Sequence, residues 1–159
     1  MFGQIWSALA SLGSGLIFFA VAAGSEWWLA APLIAMALAE TGYGLAVLRA
    51  GRVVAPRAAI TGSVAAMLLA FGLLFTSTIG FVPAIAMIGL HWIVAVLAAL
   101  VLRSRRSEQR APAGHPRPGA FALSMTVAAL VVSAVTTPAL ANTGPGEFAV
   151  PHGTLHQHH

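Results

Sequence analysis

The sequence predicts an all-α membrane protein of five transmembrane helices, four in a hairpin bundle and a fifth less sharply bounded, followed by a disordered C-terminal tail. Three observations carry this expectation. Hydrophobic residues make up 58% of the 159 positions and charged residues only 8%, against roughly 25% charged in a soluble domain. The apolar runs reach membrane-crossing length and are apolar on every face, as helices surrounded by lipid must be. All eight basic residues are arginines. They fall in two short segments, Arg49, Arg52 and Arg57, then Arg103, Arg105, Arg106, Arg110 and Arg117, where the flanks of membrane spans gather positive charge.

The first span covers residues 5–23. No arginine or lysine precedes its apolar run, which argues for a retained helix over a cleaved signal peptide. Ser7, Ser11 and Gly15 recur every fourth residue and give a small-residue seam on which a neighbouring backbone can approach. Gly24-Ser25-Glu26 is a tight polar turn, with Ser25 placed to cap the next helix and Glu26 near the positive end of its dipole. Trp27 and Trp28 follow, as interfacial anchors of the second span at residues 27–48.

Between Arg57 and Arg103 lie 45 residues with no acidic or basic side chain except His91. At 1.5 Å per residue that is roughly 68 Å of helix, about two bilayer crossings. The break falls at Thr76-Ser77-Thr78-Ile79-Gly80, before Pro83, and divides the stretch into spans at 58–75 and 81–102. Ala58, Gly62, Ala66 and Ala70 form a second four-residue stripe. Two arginine clusters on one cytoplasmic side require an even number of crossings between them, in agreement with the two that length allows. The N-terminus is then cytoplasmic, and the turns at Glu26 and at Thr76–Gly80 lie outside.

Residues 103–119 hold five arginines and three prolines and read as a flexible cytoplasmic linker. The fifth span, 120–141, is firmly apolar to about Val135, after which Thr136, Thr137 and Pro138 weaken it. An alternative reading of this segment is a signal-peptidase site at Ala139-Leu140-Ala141. Residues 142–159 form an extracytoplasmic tail with four histidines in its last eight positions.

Several functions are excluded or disfavoured. Without cysteine there is no disulfide, thiolate metal site or thiol nucleophile. No hydrolase, kinase or metalloprotease motif is present, and the only acids are Glu26, Glu40, Glu108 and Glu147, so the chain is expected not to be an enzyme. The net charge of +4 sits on span flanks without interleaved aromatics, which speaks against nucleic acid. Richness in alanine and arginine without lysine fits a GC-rich bacterial genome, and so an inner-membrane location.

Two candidate sites remain. Glu40 lies inside the second span, where a charged side chain costs on the order of 2.5 to 3.5 kcal/mol and must face protein or water. Its natural partner is His91. Both helices enter from the outer side, and Glu40 and His91 differ in depth by roughly 5 Å at 1.5 Å per residue. Tyr43 shares a neighbouring part of the Glu40 face, so the three can form an intramembrane polar cluster that moves protons, holds a cation or merely fixes helix register. A haem needs a second ligand, for which only Met36, Met67 or Met87 offers itself. The second candidate is the tail, where His152, His156, His158 and His159 can present imidazoles to copper or zinc. Expected partners are the bilayer and a larger membrane complex or a second copy of the chain. The function expected first is an accessory or assembly subunit. The alternative is a metal- or proton-linked transport component using the tail and the Glu40–His91 pair.

Overall fold

The computed structural model describes residues 2–107 and 118–147. Among them the chain forms five long helices, α1 (Phe2–Ala23), α2 (Trp27–Ala50), α3 (Pro56–Phe75), α4 (Phe81–Ser107) and α5 (Pro118–Ala141), and one turn of helix, α6 (Gly144–Glu147). Each of the five is long and apolar enough to cross a membrane. Helix is the element that satisfies every backbone N–H and C=O within its own segment, which an apolar run needs wherever water is absent. Alanine and leucine, the best helix formers, supply much of each run.

The outer surface is as greasy as the core. Leu38, Leu68, Leu123 and Leu130 are each at least 60% exposed, on outward faces where a water-soluble bundle would place charge. Around the end remote from the arginines, Trp27, Trp28, Phe75 and Phe81 are all strongly exposed. The two phenylalanines thus extend the aromatic ring expected from the tryptophans alone.

α1 is the hub. Of its membrane-length window 67% is buried, against 33% or less in each of the other four helices. It packs on α2, α4 and α5, whereas α3 packs chiefly on α4. Small residues make this possible. A methyl on Gly15 would lie 2.6 Å from the Thr41 hydroxyl and 3.1 Å from the Ala37 carbonyl, and one on Gly44 would lie 2.9 Å from the Ala8 carbonyl. The two helices therefore touch backbone to side chain, the approach that small residues permit.

The helices depart from the expected spans at several ends. α3 starts at Pro56 rather than residue 58, because proline is at home in the first turn, where its missing N–H has no intrahelical partner. α4 continues to Ser107 instead of stopping at 102, carrying Arg103 and the start of the presumed linker in helix; arginine is a good helix former and its long side chain can reach a polar boundary from a helix end. α5 starts at Pro118 and runs through Pro138 to Ala141. That proline sits in the last turn, so it removes one hydrogen bond and leaves nothing beyond to be kinked. The Ala139-Leu140-Ala141 tripeptide is accordingly helical, with Ala139 fully buried, unlike the exposed segments proteases cut.

Three smaller expectations are also corrected. Ser25 does not cap α2; Glu26 occupies that position without a side-chain cap bond, and the Ser25 hydroxyl turns back to the Val21 carbonyl at 2.7 Å, closing α1 instead. The start of the tail is folded, with Thr143 buried and Pro145 against Gly24. On α3 the buried stripe is Ala59, Ser63, Ala66 and Ala70, not Ala58, Gly62, Ala66 and Ala70. A strict four-residue repeat drifts around a helix of 3.6 residues per turn, so one three-residue step is needed to stay on a face.

Candidate functional site

Glu40 and His91 meet. His91 Nε2 lies 3.4 Å from Glu40 Oε1, with His91 fully buried and the glutamate side chain 12% exposed. α2 and α4 do not pack along each other; the two side chains converge beside α1, which supplies their other partners. The Ser11 hydroxyl donates to Glu40 Oε2 at 2.7 Å. Ser14 Oγ stands 3.3 Å from each nitrogen of the His91 ring, and the Phe18 and His91 rings pack in a T-shape at a centroid distance of 6.0 Å.

The histidine tautomer follows from its neighbours. His91 Nδ1 is 2.7 Å from the Met87 carbonyl oxygen one turn back. A carbonyl only accepts, so Nδ1 carries a hydrogen and donates it. Nε2 of the neutral ring would then face Glu40 Oε1 lone pair to lone pair, a repulsive arrangement in an apolar interior. A proton shared by the pair relieves it, either on the carboxyl or on Nε2. In both forms the pair is neutral overall, which makes its burial tolerable.

Tyr43 is brought near the pair but is not bonded into it. Its hydroxyl and that of Ser7, alongside it on α1, are buried without a hydrogen-bond partner. Glu40 and Tyr43 both line a cleft of about 210 Å³ between α2 and α3, together with Ser11, Ala58, Gly62, Ser63 and others. α2 and α3 are consecutive in the chain yet scarcely touch along their lengths. Ala39 and Ala58, which line the cleft, are exposed.

A larger cavity of about 600 Å³ opens at the other end of the bundle, lined by Ser25, Ser77, Thr78, Asn142 and Thr143 among others. Its lining carries no charged side chain. Ile17, Phe18, Met87 and Leu90, all essentially inaccessible, fill the level between it and the Glu40–His91 pair. The polar interior therefore reads, from that end inward, as a neutral vestibule, an apolar plug, and a protonatable pair that communicates with the side of the bundle.

Of the residues singled out in the sequence, Glu40, Tyr43 and His91 are thus gathered on one side of α1, and Trp27 and Trp28 lie at the aromatic end. His152, His156, His158 and His159, with the copper or zinc expected there, lie outside the described residues. Ser11 and Ser14 were not expected as partners of the pair. The signal for them is Ser7, Ser11 and Ser14 spaced four and three apart, which keeps three hydroxyls on one face of an otherwise apolar helix. Among the described residues no three metal-ligating side chains come together. No family model matches the chain, and comparison with curated proteins and with solved structures finds no match either.

Proposed function

We propose that this is a multi-pass membrane protein that works as a non-enzymatic, proton-linked transport component, with Glu40 and His91 as its proton-exchanging pair. The observation that supports this most is the His91 orientation: with Nδ1 committed to the Met87 carbonyl at 2.7 Å, Nε2 is left facing Glu40 at 3.4 Å, an arrangement that a proton between them stabilises. A pair serving structure alone is easily replaced by apolar residues, often with a gain in stability. Ionisable groups at such depth mark ion and proton routes. Ser11 and Ser14 orient the pair, and the cleft between α2 and α3 gives the carboxyl an opening.

The experiment is proton movement into proteoliposomes carrying an internal pH-sensitive dye, under an imposed membrane potential. Glu40→Gln keeps the shape and a hydrogen bond to Ser11 while removing the ionisable group, and is expected to slow proton movement by on the order of tenfold or more. An equal rate in a variant with unchanged helical content overturns the proposal in favour of the second reading, an accessory or assembly subunit. That reading is supported by the outward face of α3, where Thr61, Ala65 and Gly72 are exposed and Gly72 has open space before it. Small residues facing outward are what a partner helix needs for close approach.

A further inference from the structure

We infer that the cleft between α2 and α3 is a binding site for a small lipophilic primary amine in its ammonium form, and that the amine exchanges with the proton of the Glu40–His91 pair. The inference rests on the proton-exchanging reading of that pair and adds a ligand class to it.

Four observations point to this chemistry. The cleft of about 210 Å³ has walls of Met36, Ala39, Ala58, Ala59, Gly62 and Val94, which suit a compact hydrocarbon body. Glu40 and Tyr43 lie one helical turn apart on α2, and Ser11 and Ser63 add hydroxyl-bearing side chains from α1 and α3. The Tyr43 hydroxyl is buried beside that of Ser7, without a well-formed hydrogen bond, so the cleft holds a hydroxyl that is only weakly satisfied. Its mouth lies on the flank of the bundle, between two helices that barely touch, so an amphiphile dissolved in the membrane reaches it sideways. An ammonium on a short apolar stem fits these observations: it donates to the Glu40 carboxylate while the stem occupies the apolar wall.

Charge balance couples this binding to protons. The groups facing Glu40 are hydroxyls from α1 (Ser11, with Ser7 beyond it), Tyr43 from its own helix, and His91 from α4. α3 contributes Ser63 and no titratable side chain within the cleft, with Arg57 exposed at its first turn. The pair with its shared proton is neutral. An ammonium added to it would leave one uncompensated positive charge in an apolar interior, at high cost. Release of the shared proton restores neutrality, with the ammonium keeping all its hydrogens and donating to the ionised Glu40, and with neutral His91 accepting at Nε2 from the Ser14 hydroxyl 3.3 Å away. Proton and ammonium therefore compete for the same carboxylate, and binding strengthens as pH rises until the amine itself loses its charge.

The test uses the full chain in lipid nanodiscs with radiolabelled 2-phenylethylammonium as probe, empty nanodiscs being subtracted for partitioning. The expected result is saturable one-to-one binding, weaker at mildly acidic than at neutral pH, with proton release detected by an indicator dye in weak buffer. Glu40→Gln is expected to weaken binding on the order of tenfold, the loss of one charge-assisted contact. Gly62→Leu is expected to abolish it, because a side chain there enters open space in the cleft, while circular dichroism stays as in the parent. The neutral isostere 2-phenylethanol, if it competes as well as the amine, overturns the inference, as does binding that is indifferent to Gly62→Leu. Amine binding without proton release refutes the exchange and the proton-linked reading while leaving the cleft as a cation site. Proton movement that depends on Glu40 without any amine binding refutes the cleft alone.

Discussion

α1 and α2 are joined by three residues and close on each other along their length, whereas α2 and α3 are joined by five and stand apart. Composition does not account for the difference, since all three helices are rich in alanine, glycine and leucine. What differs is where the glycines face. Gly15 and Gly44 point into the α1–α2 contact, where even a methyl would collide with the opposing backbone or side chains. Gly62 on α3 points into open space, so its small size brings no partner closer. The connecting segment also differs: Gly51 at φ 61° and Ala55 at φ 42° both adopt the left-handed conformation, one at each end of the link. For alanine that conformation costs about 1 to 2 kcal/mol, so the rest of the fold must hold the separation in place. A sealed hairpin thus carries the pair's partners, and an open one gives the pair access.

The largest break in this comparison is expected at the sealed contact. Gly44→Leu forces carbon atoms against the Ala8 carbonyl and the Leu12 side chain, both already 2.9 Å from where a β-carbon would sit. Overpacking of this kind costs about 1 to 3 kcal/mol, and backbone cannot give way as a flexible side chain can, which places Gly44→Leu near the top of that range. Unfolding in mixed detergent micelles, followed by circular dichroism, measures it. A stability equal to that of the parent would mean that α1 and α2 are not in close contact at all.

A smaller loss is expected where the sealed contact meets the site. Ser11→Ala removes the donor to Glu40 Oε2, a hydrogen bond to an ionisable group worth about 1.5 kcal/mol or more. In a Glu40→Ala background the same change should cost less than about 0.5 kcal/mol, since its partner has gone. Equal costs in the two backgrounds would show that Ser11 is no more than a packing residue.

The difference between the hairpins was only partly legible in the sequence. Helix length and arginine placement follow from rise per residue and charge segregation, so all five helices stand close to their expected positions. The similar depth of Glu40 and His91 was legible too, because two helices entering from one side carry them at comparable distances from their starts; that the two side chains meet was not, since it depends on how α1, α2 and α4 pack. The identity of the hub was not. In a chain greasy on every face, apolar pattern does not distinguish a helix surrounded by protein from one surrounded by lipid, and α1 differs mainly in the hydroxyls of Ser7, Ser11 and Ser14, whose spacing reads equally well as a packing seam. The open cleft was hidden for another reason. It depends on backbone angles at Gly51 and Ala55 and on the direction Gly62 faces, and neither leaves a periodic trace.

The smallest expected effect tests the open side of the comparison most directly. Gly62→Leu is chemically the same substitution as Gly44→Leu, on a neighbouring helix of the same bundle. A β-carbon at Gly62 meets nothing within 4 Å, and the added side chain lies against the apolar lining of the cleft, formed by Met36, Ala39 and Ala58 among others. Replacing glycine within a helix brings a gain of its own, up to about 1 kcal/mol by lowering the freedom of the unfolded chain. Some of this is offset by ordering the new side chain, and a net change within about 0.5 kcal/mol of the parent follows. The same micelle unfolding that registers Gly44→Leu serves as the measurement. Should Gly62→Leu destabilise as much as Gly44→Leu, then α2 and α3 close on each other in the membrane, the cleft is filled by protein, and Glu40 has no lateral opening through which to exchange anything.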